Sequence, residues 1–255
     1  MRAIRLSSGF DLRFHDLAGV GPPLVFLHGL GCASSCDFVA VAHAPAIRGR
    51  RAVLVDLPGY GFSDKPAASS YGVESHATAV CELLDLLAPG PVDLFGHSMG
   101  GSIAITLAAR RPDLLRRLIV AEPNLDPGGG VFSRAIAARS EQDYVAAGHA
   151  AEIRAAVVSG DGAWASSMAV ALPAAVHRDA VSLVRGCDPT WRERLLGLAG
   201  IPRTALFGER SLPDADHARL PAVGIAAGVV PLAGHAMAID NPHGLAAAIA
   251  VACAA

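Results

Sequence analysis

No apolar run in this sequence is long enough to cross a membrane, although 52% of its 255 residues are hydrophobic. Each run is interrupted by charge, Pro or Gly well before the roughly 20 residues that a spanning helix needs. A cysteine framework is also missing. The five cysteines, Cys32, Cys36, Cys81, Cys187 and Cys253, are odd in number and show no CxxC spacing, so neither a zinc site nor a disulfide scaffold is expected. Long runs of like charge are lacking too. With 21 basic against 23 acidic residues the formal net charge is -2, and basic residues gather only in short pairs such as Arg110-Arg111 and Arg116-Arg117. Nothing here recruits nucleic acid or an anionic membrane. The N-terminus runs from Ala3-Ile4-Arg5-Leu6 into polar Ser7-Ser8-Gly9, without the apolar segment and cleavage site of a signal peptide, which makes a cytoplasmic protein the expectation.

What the sequence does have is repetition of strand and helix. Leu24–His28, Arg51–Leu57, Val92–His97, Arg116–Glu122, Arg203–Glu209 and Ala226–Leu232 are short apolar runs of the length of strands buried on both faces. Segments of helical length separate them: Ser35–Ile47, Val73–Ala88, Met99–Arg110 and, at the end, Pro242–Ala254. This alternation predicts an α/β fold with a mostly parallel central sheet and helices on both faces. Ala3–Ser8 and Asp11–Leu17 alternate apolar and polar residues around a turn, the pattern of an antiparallel hairpin at the sheet edge. After Glu122 the strands stop. The stretch 124–198 has helical periodicity and predicts a helical cap inserted after the sixth strand, with 1–123 and 199–255 forming the core domain. The cap is expected to roof a pocket and to be dispensable for the folding of the sheet.

Gly96-His97-Ser98-Met99-Gly100 stands between the strand Val92-Asp93-Leu94-Phe95 and a helical run. A serine at such a strand-to-helix turn is raised above the sheet with a helix N-terminus beneath it, and flanking glycines permit the tight backbone. Ser98 is the candidate nucleophile. His28-Gly29-Leu30-Gly31 follows an earlier strand, where acyl transfer needs backbone N–H groups for a developing oxyanion, so Leu30 and Met99 are the candidate donors. Asp56 to Asp64, reading DLPGYGFSD, precedes the serine and is assigned a structural role. The base belongs at the top of the last strand, where Leu232-Ala233-Gly234-His235 puts His235; His97, beside the serine, is expected to point the other way.

These ordered motifs, an HGLG loop, a DLPGYGFSD segment, a GHSMGG elbow and a late Gly-His, resemble the α/β-hydrolase superfamily over essentially the whole chain. The resemblance implies a triad whose acid usually follows the seventh strand. Here that stretch reads Gly208-Glu209-Arg210-Ser211, with serine in the acid's place. Some members, among them the zearalenone lactonases, carry the acid after the sixth strand instead, which points to Glu122 in Ala121-Glu122-Pro123-Asn124-Leu125-Asp126. Asp126, Asp214 and Asp216 are the rivals, and Glu209 stays close to its strand. The expected activity is serine-dependent hydrolysis of a carboxylic ester or lactone through an acyl-enzyme, on a small and largely apolar substrate, because no charged cluster marks the pocket. No metal or organic cofactor is implied. A carbon–carbon bond hydrolase or a cofactor-free perhydrolase would use the same three residues, and a silent small-molecule receptor would keep the fold without turnover.

Overall fold

A computed structural model describes residues 1–67, 69–87 and 90–254. Among them eight strands form one sheet: β1 (Arg2–Arg5), β2 (Asp11–Leu17), β3 (Val20–Leu27), β4 (Arg50–Asp56), β5 (Val92–His97), β6 (Leu115–Ala121), β7 (Arg203–Gly208) and β8 (Ala226–Val230). Their order across the sheet is β1-β2-β4-β3-β5-β6-β7-β8. The first two strands pair antiparallel with each other, β2 pairs antiparallel with β4, and the rest run parallel. The anticipated strands all form, Asp11–Leu17 and Val92–His97 with the expected bounds and the others shifted by a residue or more at one or both ends.

The central strands are apolar throughout because both faces of the sheet are covered. Successive side chains of a strand point to opposite faces. Val25, Leu27, Val53, Val55 and Leu94 therefore enter one core, with Val80 and Leu83 of α3 (Val73–Leu87) and Ile103 and Leu107 of α4 (Met99–Arg110). Leu24, Phe26, Leu54 and Phe95 enter the other, with Leu245 and Ile249 of the C-terminal helix Pro242–Ala254. Ala88, the anticipated end of α3, lies outside the described residues.

The segment anticipated as one helix over 35–47 is instead two short ones, α1 (Ser34–Asp37) and α2 (Val39–His43), broken at Phe38. The break turns the Phe38 ring inward against Phe26 and Phe95, with the three ring centroids 5.3–5.5 Å apart. Burying an aromatic ring of this size is worth about 1.5–3 kcal/mol, more than the ~0.5–1.5 kcal/mol of one helical hydrogen bond given up at the break.

Six helices lie between β6 and β7: α5 (Val131–Ala137), α6 (Glu141–Asp143), α7 (His149–Ser159), α8 (Gly162–Ala169), α9 (Pro173–Arg185) and α10 (Trp191–Gly197), with a π turn over Tyr144–Gly148. They are joined to the sheet by more than contact. Asp179 of α9, fully buried, accepts from the Tyr60 hydroxyl at 2.6 Å and meets His76 Nε2 of α3 at 2.9 and 3.0 Å. Trp191 Nε1 donates to Thr106 Oγ1 of α4 at 3.1 Å. Tyr144, Met168, Leu183 and Trp191 belong to the same core as α3 and α4. Tyr60, His76 and Thr106 of the core domain thus find hydrogen-bond partners in the insertion. Among the described residues no helix is long and apolar enough to cross a membrane.

Candidate active site

The turn from β5 into α4 holds Ser98 at φ 53°, ψ −120°. A serine with positive φ costs on the order of 1–3 kcal/mol and persists only where its surroundings fix it. They do so here: Ser98 N–H donates to Ala121 O at 2.9 Å, and Ser98 O accepts from Gly101 N–H at 2.9 Å. A Cβ on Gly96 would stand 2.2 Å from Gly100 O, and one on Gly100 would stand 2.3 Å from Leu27 O. Both glycines are thus required by close backbone approach, which brings α4 down onto β3.

Leu30 lies in the loop after β3 and lines the same cavity as Ser98. Among the described residues its N–H donates to no backbone oxygen. Met99 opens α4, so its N–H has no acceptor within the helix. The loop is held from two sides. Trp164 Nε1 of α8 donates to Leu30 O at 3.1 Å. Below, His28 Nε2 accepts from Leu57 N–H at 3.1 Å, so Nδ1 carries the proton and donates to Gly29 O at 2.8 Å. Burial pushes the His28 ring down to about 4, which keeps this neutral bridge in place at ordinary pH. The DLPGYGFSD segment is equally structural: Asp56 accepts from Ser35 N–H, Ser35 Oγ and Phe62 N–H, and Asp64 accepts from Asp11 N–H.

His235 sits in the turn after β8, and its Nδ1 lies 2.6 Å from Glu122 Oε2. Glu122 Oε1 accepts from Gly208 N–H at 2.9 Å, and Glu122 N–H donates to Leu206 O at 3.0 Å with the backbone at φ 41°. Burial works to raise the Glu122 carboxyl, but the bonds from His235, Gly208 and the Ser211 hydroxyl outweigh it and bring it down to about 2. The carboxylate is ionised at neutral pH and can only accept, so Nδ1 of His235 is the donor, which leaves Nε2 as the ring nitrogen turned away from Glu122. Ser98 and His235 both line the cavity, and among the described residues no hydrogen bond joins them; such bonds are commonly long in free enzymes and tighten around substrate.

The other carboxylates weighed for this position are engaged elsewhere. Asp126 and Asp216 both bind Arg192, Asp214 caps Asp216 N–H, and Glu209 accepts from Leu232 N–H. The expectation for His97 is corrected. Its Nε2 lies 2.8 Å from His235 O and its ring centroid 4.7 Å from that of His235. Burial drives the His97 ring down to about 3, so it is neutral, and Nε2–H is the donor to that carbonyl. Period-two alternation contains the signal, since His97 shares the face of Phe95.

The cavity measures about 490 Å³. Leu30, Phe132, Trp164 and Leu183 supply apolar wall, but Asp37, Asp161, Asp214 and Asp216 line it as well. The expectation of a pocket without a charged cluster is corrected on this point. No Lys or Arg is among the described residues that line it.

A family model described as the alpha/beta hydrolase fold matches residues 22–157. The chain is 35% identical over 116 residues to 2-hydroxy-6-oxo-2,4-heptadienoate hydrolase of Pseudomonas putida, a match covering 45% of this chain and 42% of that protein. The chain thus spans less than half the length of this curated relative. Among solved structures, a thermophilic esterase from Thermogutta terrifontis superposes with a TM-score of 0.78 at 22% identity, over 98% of this chain and 97% of that one. The esterase EaEST from Exiguobacterium antarcticum gives 0.77 at 19% identity, over 99% of each. At these identities the structures speak for the fold alone.

Proposed function

The chain belongs to the alpha/beta hydrolase fold family, and we propose that within it the chain is a serine hydrolase of a carboxylic ester or lactone. The observation that carries this reading is the 2.6 Å pair of His235 Nδ1 and ionised Glu122, set in the cavity that also holds the strained Ser98. Ser98 Oγ attacks the acyl carbon while His235 Nε2 takes its proton. The carbonyl oxygen becomes an oxyanion held by the N–H groups of Leu30 and Met99, each worth about 3 kcal/mol to the transition state. The tetrahedral species collapses, and His235 returns the proton to the leaving alkoxide. Water, deprotonated by the same nitrogen, then releases the acid and restores Ser98. Glu122 fixes the imidazole tautomer and stabilises the imidazolium formed in both halves. His97 acts through His235, as a positioning residue on its carbonyl.

Carbon–carbon bond hydrolysis is the second reading, favoured by the identity to the Pseudomonas putida enzyme. The substrate named for that enzyme is a dienoate, a carboxylate. The cavity opposes an anion, because it is lined by aspartates and by no described Lys or Arg.

The test is labelling by a fluorophosphonate, with peptide mapping, beside turnover of short p-nitrophenyl esters. Ser98 is expected to take the label, and Ser98→Ala to lose both label and turnover while remaining folded. Undiminished hydrolysis by Ser98→Ala overturns the reading.

A further inference from the structure

Four aspartates are buried among the described residues: Asp37, Asp56, Asp93 and Asp179. Three of them are paired by strong donors. Asp56 takes two N–H bonds and a hydroxyl, Asp93 takes Arg50 Nη2 at 2.6 Å, and Asp179 takes Tyr60 and His76. Asp37 differs. It is 9% exposed, it closes α1, and among the described residues no N–H or O–H reaches its carboxylate. Its one neighbouring donor is the Cys32 thiol, a weak one. Burying a carboxylate without a donor is unfavourable by several kcal/mol unless something pairs it, and the side on which Asp37 is open is the cavity.

Asp161 lines the same cavity as Asp37 and Cys32. It caps α8 with one oxygen, accepting from Trp164 N–H at 3.2 Å, and its charge is felt at both Asp37 and Cys32. α8 also sends Trp164 Nε1 to Leu30 O, so these carboxylates stand close to the loop that faces Ser98. With no described Lys or Arg on the cavity wall, their charge meets no compensation there.

We propose that Asp37, seconded by Asp161, is a subsite for a protonated primary amine on the substrate. An ammonium brings three donors and one positive charge, and so supplies both things that Asp37 lacks. A hydroxyl supplies a donor alone, and a carboxylate adds to the repulsion. The inference rests on reading the cavity as the site of ester hydrolysis, and it refines the substrate to an amine-bearing ester or lactone.

Two measurements separate the subsite from the catalytic reading. The first needs no turnover: calorimetric titration of Ser98→Ala with hexylammonium, and with hexanol as its neutral isostere, in wild-type and Asp37→Asn backgrounds. Hexylammonium is expected to bind roughly tenfold more tightly than hexanol, the scale of a partly desolvated charge pair, and to lose that advantage in Asp37→Asn. The second compares kcat/KM for p-nitrophenyl 6-aminohexanoate, 6-hydroxyhexanoate and hexanoate at pH 8. The ratio of amino to plain ester is taken within each variant, so losses of active enzyme cancel; it is expected to fall in Asp37→Asn and, by less, in Asp161→Asn. Equal binding of hexylammonium and hexanol by Ser98→Ala overturns the subsite, whatever the esterase assays give. A preference for the hydroxy ester over the amino ester overturns its cationic character. Tight hexylammonium binding without hydrolysis of any ester keeps the subsite and overturns the hydrolase reading.

Discussion

Glu122 is a partly buried carboxylate and Asp37 a buried one, and opposite surroundings give them opposite pH behaviour. Glu122 is held down at about 2 against its burial by donors from His235, Gly208 and Ser211. Its contribution to stability is present above the ordinary carboxylate range and is lost as pH falls from about 4.5 toward 2. In catalysis the same bonds set the tautomer of His235, so Glu122→Gln is expected to lower kcat by a factor on the order of 10³–10⁴ in a variant that is less stable at pH 7 but still folded. Esterase kinetics on the folded variant check this, and near-wild-type kcat would remove Glu122 from the triad. Asp37 is pushed up to about 6, chiefly by burial. Its neutral form suits the folded state, so stability is fully present below about 3.8 and is lost as pH rises through 6. Asp37→Asn is therefore expected to stabilise the free protein at pH 8 by about 3 kcal/mol and to change little at pH 4, measured as the shift in denaturant midpoint at each pH. An equal shift at both values would mean that Asp37 is not charged in the free protein at pH 8.

Elements explain how much of this was legible in the sequence. Strands buried on both faces announce themselves as apolar runs, and the GHSMG turn is marked by glycines with a geometric reason to be there, so β3 to β8 and the position of Ser98 were readable. Glu122 was readable as a carboxylate at a strand end, because β6 and β7 are neighbours and both finish on the face where His235 arrives. Two features were not. The break at Phe38 depends on the rings of Phe26 and Phe95, which come from two other strands. The charge of the cavity comes from α1, the N-cap of α8 and the segment Asp214–Asp216 beyond β7, which are far apart in the chain and show no acidic run between them. The elbow itself offers a test at this scale. Gly100→Ala would drive a Cβ to within 2.3 Å of Leu27 O, and two packed backbones have no side-chain freedom with which to yield. The substitution is expected to cost more than the ~1–3 kcal/mol of ordinary overpacking and to lower fluorophosphonate labelling of Ser98 along with stability, whereas Gly162→Ala, with nothing nearby, serves as the neutral control in urea titrations.

Taken as a whole, the molecule has a sheet whose upper helices are completed by the insertion between β6 and β7. Tyr60 and His76 are buried, and both make their hydrogen bonds to Asp179 of α9. Removing 126–196 would leave those groups unpaired at about 1–3 kcal/mol each. It would also uncover the core surface on which Tyr144, Leu183 and Trp191 pack, at roughly 1.5–3 kcal/mol for each large side chain lost. The sum approaches the ~5–15 kcal/mol that a typical domain has in total. The full chain is therefore expected to unfold in a single calorimetric transition, with a van't Hoff enthalpy equal to the calorimetric one. A chain with 126–196 replaced by a short flexible linker should show neither that transition nor protected amides in β5 and β6. A second, lower transition in the full chain, with far-ultraviolet dichroism surviving it, would instead mean that the insertion melts as a unit of its own and that the pocket can lose its roof without losing its floor.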